Sequence, residues 1–512
     1  MLGPPKPRHL DEPVPVSLEV LVPANHFYRH LDARLDLGFV REWVRDLYAD
    51  RGRPSIDPVV FFKLQLVMFF EGIRSERKLV ETASLHLAHR WYLGYALDES
   101  LPDHSSLTRI RQRLGVEVFG RFFEHIVDLC QEAGLVWGKE LYFDATKVEA
   151  NAALDSLVPR FAHEAKAHVA GLFAGDPAPT DGHEADGVDP PPTEGLLRLP
   201  PGEGRTEEPE GPEPAPRWKL LAQRRLDPHR PAVGSYRRTS DFRVSLTDPD
   251  ATPMRTGAGA TLGYHDHDVV DGGRARIILA ALVTPADVME NVPMRDLLWR
   301  VCFRRKRRPD QVTGDATYGT AENIAAIEDQ RIRAYVPLPE VGRRRRLFGA
   351  QDFVYDATAD VYRCPAGATL RFLSHCQTAR RRVYAAPAAV CAACALRPEC
   401  TTSKQGRRVG RHLDEAFLDR VRGYRATEAY QKAIRKRQVW VEPLFAEAKV
   451  WHGLRRFRLR GLANVNMEGL LVAAGQNLKR WLAGTGWGRR HAPCGSILAL
   501  PMEPWRLSAV YG

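Results

Sequence analysis

Near residue 138 the spacing of the apolar residues changes, and that change divides the chain. Before it, from about Phe27 to Val136, apolar side chains recur every three or four residues in LGFVREWVRDLYAD, DPVVFFKLQLVMFFEGI and VFGRFFEHIVDLCQEAGL. That is the spacing of helices with one buried face. Asp57 followed by Pro58 adds a helix cap and a first-turn proline. After residue 138 the apolar runs become short and β-prone: LYFDATKVEANA, then TLGYHDHDVV and RARIILAALVTPA, joined by a turn at Asp271-Gly272-Gly273. DVMENVPMRDLLWRVCFRR predicts a helix, QVTGDATYG a strand running into a loop, TAENIAAIEDQ a helix, IRAYVPLP a strand, and AIRKRQVWVEPLFAEAKVW a long last helix. Three meandering strands followed by helix, strand, helix, strand and helix predict an α/β core with a mixed sheet behind an all-α N-terminal domain.

The expected division is a helical domain over 1–137, a core over 138–484 and a tail over 485–512. Two segments interrupt the core. Residues 174–216 are rich in Pro, Gly, Asp and Glu and carry almost no large apolar side chains, so they are expected to stay disordered. Residues 343–425 form a Cys-containing insertion.

The chain has 74 Lys and Arg against 63 Asp and Glu, a net charge of +11, which points to a polyanionic partner. A membrane is excluded as that partner. The longest apolar stretch, Val59 to Phe70, is interrupted by Lys63 and Gln65 and falls short of the roughly 20 residues a bilayer demands. The first residues, MLGPPKPRHLDEP, have no apolar centre, so no signal peptide is read and the expected location is cytoplasmic, with the nucleoid. Eight cysteines in such a chain make no disulfide scaffold and suggest free thiols or metal ligands.

Asp144 ends the first predicted strand and Asp315 the fourth, and strand ends are where α/β sheets bind ligands. In a ribonuclease H-like strand order these two strands are neighbours. Carboxylates that close repel unless a divalent cation neutralises them, and oxygen ligands suit Mg²⁺ or Mn²⁺. The last helix offers Glu442 as a third ligand. Lys449, two turns on, falls on nearly the same face, at about 100° per residue. Val441, Phe445 and Ala448 form the neighbouring apolar stripe, and Glu447 reads as a solvated charge. One Asp at a strand end is more often a turn residue than a catalyst. The three carboxylates, in this order on these elements, carry the reading together.

DATKVEANA, GDATYG and VEPLFAEAKVWHGLRRFRLRGL resemble the three acidic motifs of bacterial insertion-sequence transposases of the DDE class, InsH-like in type. GRPSIDPVVFFKLQLVMFFEGIRSERKLVE, HRWYLGY and PDHSSLTRIRQRLG resemble that family's N-terminal domain. The resemblance runs from about Asn25 to Leu482. It implies a ribonuclease H-like core in which Asp144, Asp315 and Glu442 bind two Mg²⁺ or Mn²⁺ ions about 4 Å apart, with Lys449 near a phosphate. It also implies hydrolysis that frees a 3′-hydroxyl, followed by attack of that hydroxyl on target DNA. The family's Tyr and Arg ahead of the Glu are Arg435 and Gln438 here. The partners implied are double-stranded DNA, as terminal inverted repeats and as target, and a second copy of the chain, since synapsis joins two ends.

Basic clusters supply candidate DNA contacts. SSLTRIRQRLG places Arg109 and Arg113 one turn apart behind a capped helix start. LRRFRLRG contributes Arg455, Arg456, Arg458 and Arg460, and FRRKRR and GRRRR add two more runs. In the insertion, Cys364 and the CAACALRPEC run with Cys391, Cys394 and Cys400 suit a tetrahedral structural Zn²⁺. His375 and Cys376 are alternates, and Cys130, Cys302 and Cys494 are packing residues. Two rivals share these features: an inactive or domesticated DNA-binding relative, and a metal-dependent nuclease without strand transfer.

Overall fold

The computed structural model describes residues 15–48, 55–173, 239–257, 259–339, 347–377 and 380–487. The acidic segment 174–216, the GRRRR run, Cys494 and the tail from 488 lie outside the described residues.

The described residues before Glu140, roughly the N-terminal quarter of the chain, are helical, as their apolar spacing predicts. Helix Pro58–Phe70 starts where Asp57 accepts the Val59 N–H at 2.9 Å and Pro58 fills the first turn. Helix His104–Glu132 starts on Asp103 in the same way, and Gly115 at φ +66° bends it, a backbone state that only glycine enters cheaply. Phe62 and Phe122 stack between these two helices at 4.7 Å.

The core begins with β1 (Glu140–Glu149). A small pair follows, β2 (Leu157–Pro159) with β3 (Arg243–Ser245), and then β4 (Thr252–Thr256), β5 (Gly259–Asp271), β6 (Ile278–Pro285), β7 (Gln311–Thr313) and β8 (Arg333–Tyr335). The main sheet runs β4-β5-β1-β7-β8, with β6 also paired to β5. β1 is antiparallel to β5 and parallel to β7, which is parallel to β8. Helices Met294–Arg305 and Ala321–Asp329 make the crossovers that parallel neighbours require. β4 adds a strand that the sequence pattern did not predict.

The helical region is not a separate globule. One apolar cluster runs through Phe62 and Phe119 of the helices, Tyr142 and Val270 of the sheet, and Leu470 of the closing helix Leu462–Gly484. That helix also finishes the outer edge of β6. Asn477 accepts from the Ile278 N–H and donates to the Ile278 carbonyl, both at 2.8 Å, and Asn466 does the same to Val283, both at 2.9 Å. Outward-facing peptide groups of a regular strand recur at even spacing, whereas 278 and 283 are an odd distance apart. The register shift opposite Val269 and Val270 changes the phase and lets both face the helix.

The insertion folds into its own antiparallel sheet of β9 (Val354–Asp356), β10 (Val361–Arg363), β11 (Thr369–Cys376), β12 (Arg381–Ala385) and β13 (Arg408–His412). Its core is small: Phe353, Tyr362, Leu370, Tyr384, Ala386 and Val409. The chain leaves the main sheet at Tyr335 and returns against it, because Tyr424 and Tyr430 pack edge-on to that ring at 5.6 and 5.8 Å.

Candidate active site

The β1–β7 ladder ends with Tyr142 opposite Thr313. Two residues further on stand Asp144, which lies in the middle of β1 and does not end it as the sequence suggested, and Asp315, which lies two residues past the end of β7. Asp315 also caps the following turn by accepting the Thr317 N–H at 2.8 Å. The third carboxylate comes from helix Glu428–Trp451, which buries Val441, Leu444, Phe445 and Ala448 and leaves Glu442 exposed. Asp144 is mostly buried, and that burial pushes its carboxyl up to about 6, with the charges of Asp315 and Glu442 adding to the rise. Arg437 and the Ala145 N–H oppose it. All three carboxylates therefore share one electrostatic neighbourhood. Among the described residues, no three His, Cys, Asp or Glu side chains are drawn together closely enough to hold a metal ion as they stand.

Several neighbours were not foreseen. Arg437 pairs with Asp144 at 2.7 Å. It lies four and seven residues before Val441 and Leu444 of the buried stripe, a spacing that places it on the sheet-facing side. A cation thus reaches the site from position 437, not from position 438. Glu290 is raised by burial and by Asp315 and Asp144, so it belongs to the same acidic neighbourhood, with Lys147 opposing. On β5, Asp268 stands opposite Asp144 and Asp266 opposite Thr146. Burial pushes both carboxyls up, and the charge of Lys449 restrains Asp266. The alternation in HDHD, which puts both aspartates on one face of a strand and both histidines on the other, was the available signal. Lys449 donates to Thr146 Oγ1 at 2.5 Å, and burial lowers its pKa against the pull of Asp266.

Glu447 is a correction. It is not a solvated charge: Lys479, Arg480 (2.9 Å) and Gln476 (3.1 Å) of the closing helix surround it, and against burial His452, Lys479 and Arg480 hold its carboxyl well below the usual range. The basic clusters also divide. Arg109 and Arg113 are exposed, Arg109 donating to Ser105 at 3.2 Å and Arg113 lying over the Tyr48 ring. Arg455, Arg456 and Arg460 are exposed as well, and Arg456 and Arg460 also grip the Ala150 and Asn151 carbonyls at 3.1 and 2.9 Å. Arg458 points inward to Glu76 at 3.2 Å, where Arg111 also pairs, so it joins the helical region to the core. In FRRKRR, Arg305 is buried against Glu124 and Asp128, while Arg307 and Arg308 bind the Trp137 and Gln330 carbonyls.

Cys364, Cys391, Cys394 and Cys400 line one cavity of about 260 Å³ at the end of the inserted sheet. His375 and Cys376, on β11, are not among its lining residues. Cys130 is buried with its thiol against the Asn477 carbonyl at 3.8 Å.

A helical N-terminal region on a mixed α/β sheet core is compatible with the fold of DDE transposases. The comparisons give the narrower class. Residues 16–113 match the family described as a Transposase domain (DUF772), and residues 363–482 match one described as a Transposase DDE domain. Together these matches support an insertion-sequence transposase of the DDE class. Glu442 and Lys449 fall inside the second match, and Asp144 and Asp315 precede it. No curated protein and no solved structure matches the chain. Among the described residues no helix is long and apolar enough to cross a membrane.

Proposed function

We propose that the chain cuts DNA at the ends of its own element and joins them to a target, with Asp144, Asp315 and Glu442 as the acidic triad of a ribonuclease H-like core. The observation that supports this reading is the parallel register of β1 on β7: its last pair, Tyr142 opposite Thr313, lies two residues before Asp144 and two before Asp315, and the charges of Asp315 and Glu442 are felt at Asp144. The sheet order supports the core assignment, since the three meandering strands β1, β5 and β6 are followed outward from β1 by parallel β7 and β8.

The donor set fits a hard divalent cation: carboxylate oxygens, one of them pushed up by burial and further by its acidic neighbours. Asp144, Asp315 and Glu442 would hold Mg²⁺ or Mn²⁺, whose chemistry there is to activate the attacking oxygen and stabilise the leaving one. The protein's own groups do the rest. Arg437 neutralises Asp144 and fixes its orientation. Lys449, tethered through Thr146, places a cation two turns beyond Glu442 for a DNA phosphate. Arg109, Arg113, Arg455, Arg456 and Arg460 offer exposed charge for the backbone of the terminal repeats and target, and a second copy would complete the synapse.

The test is cleavage of duplex DNA carrying the gene's own flanking sequence, with Mg²⁺ or Mn²⁺, by the full chain and by Asp144→Asn and Glu442→Gln. Cutting at a defined end that both substitutions abolish is expected. Cutting that survives both would place the active site elsewhere, and tight binding without cutting would favour a DNA-binding protein.

A further inference from the structure

Among the described residues, the inserted sheet has an apolar core of six buried side chains for a module spanning roughly 65 residues, from Phe348 to His412. Modules this small usually need a staple beyond their hydrophobic core. The four thiols that line the cavity at the sheet's end come from three separate turns. Cys364 follows the last residue of β10, Cys391 and Cys394 flank the end of helix Ala388–Ala392, and Cys400 closes helix Arg397–Cys400. Their surroundings are shaped around sulfur. The turn after Cys364 folds back so that the Gly367 N–H meets the Cys364 carbonyl at 2.8 Å and the Ala368 N–H points at Cys364 Sγ at 3.2 Å. The Arg407 N–H points at Cys391 Sγ at 3.4 Å. The residue before it, Gly406, has φ +83°, and a Cβ there would sit 3.3 Å from the same sulfur. Backbone N–H groups aimed at sulfur are the outer-shell hydrogen bonds that orient a metal ligand.

We propose that Cys364, Cys391, Cys394 and Cys400 bind one structural Zn²⁺ that clamps the two short helices onto the end of the inserted sheet. All-sulfur ligation selects zinc among the common divalent ions, with Zn–S near 2.3 Å in a tetrahedron. The four thiols line one cavity but do not stand as a metal-holding cluster in the structure, so binding would draw them together across it. Each thiol gives up its proton to solvent as the metal binds. The site is remote in sequence from the acidic triad and stands whether or not the chain transposes.

Three measurements on the full chain test this. Elemental analysis of protein purified without chelator should find about one zinc per chain. Cobalt substitution should show the thiolate charge-transfer and visible bands of a tetrahedral sulfur site. A strong chelator should make four more thiols reactive to a disulfide reagent. Cys394→Ser should lower zinc content severalfold and Cys302→Ser should leave it unchanged. Should a variant fail to fold, the wild-type cobalt spectrum and thiol count still decide. Metal content below a tenth of an equivalent with no cobalt bands overturns the proposal, as does iron in place of zinc.

Discussion

Replacing Asn477 by Leu should be among the most damaging changes that touch no charge. The side chain is fully buried, and its amide satisfies both the N–H and the carbonyl of Ile278. Leucine fills nearly the same volume but leaves two buried peptide groups unpaired, at about 1–3 kcal/mol each. The expected loss is about 2–6 kcal/mol, a large part of a typical 5–15 kcal/mol of stability. Asn466→Leu should behave alike at Val283. The two asparagines are eleven residues apart, about 16.5 Å along the helix and about 20° from a whole number of turns. The strand residues they hold are five apart, which at about 3.3 Å each spans the same length. The match is why one straight helix serves both positions, and at such a separation the two losses should add to within about 0.5 kcal/mol. Urea unfolding would measure the loss, and hydrogen exchange at the Ile278 amide would locate it. A loss below about 1 kcal/mol with Ile278 still protected would refute the reasoning.

The Asp144 carboxyl, pushed up to about 6, must lose its proton before it can bind a cation, so metal-dependent cleavage should fall as pH drops through about 6. Arg437→Gln removes a charge that holds this carboxyl down, so the acidic limb of the cleavage profile should move to higher pH. Asp266 has a folded pKa above that of the unfolded chain, so it keeps a proton on folding that the unfolded form has lost. Its contribution therefore grows more unfavourable as pH rises from about 4 through the folded value, and Asp266→Asn should raise the urea midpoint at pH 8 but hardly at pH 4. Arg458→Ala should lower thermal stability without changing the salt dependence of DNA binding. Arg455→Ala should do the reverse, reducing the log–log salt slope by about 0.9 if it meets one phosphate.

The elements with a strong local pattern were legible in the sequence. β1, β5, β6, β7, β8 and helix Glu428–Trp451 each stand where apolar spacing predicts them, and the charges of Asp315 and Glu442 reach Asp144. What escaped depends on partners distant along the chain. Glu447 looks solvated until the closing helix, 32 residues on, brings Lys479 against it. Arg458 looks available for DNA until Glu76 of a helix 382 residues earlier is seen beside it. The inserted sheet was missed because strands such as β11, TLRFLSHC, expose most of both faces and so lack alternation. Arg437 was hidden among the other cations of AIRKRQVW, where only its spacing to Val441 and Leu444 marks it.

The clasp on β6 also sets a timetable for synthesis. The side chains that close its outer edge lie 183 and 199 residues downstream. On a ribosome adding roughly 5–20 residues per second, that edge stands bare for about 10–40 s. An apolar strand with unpaired peptide groups is a template for any passing strand. A message cut short before codon 466 therefore yields a nascent chain with a permanently adhesive edge, and such fragments should go to the insoluble fraction.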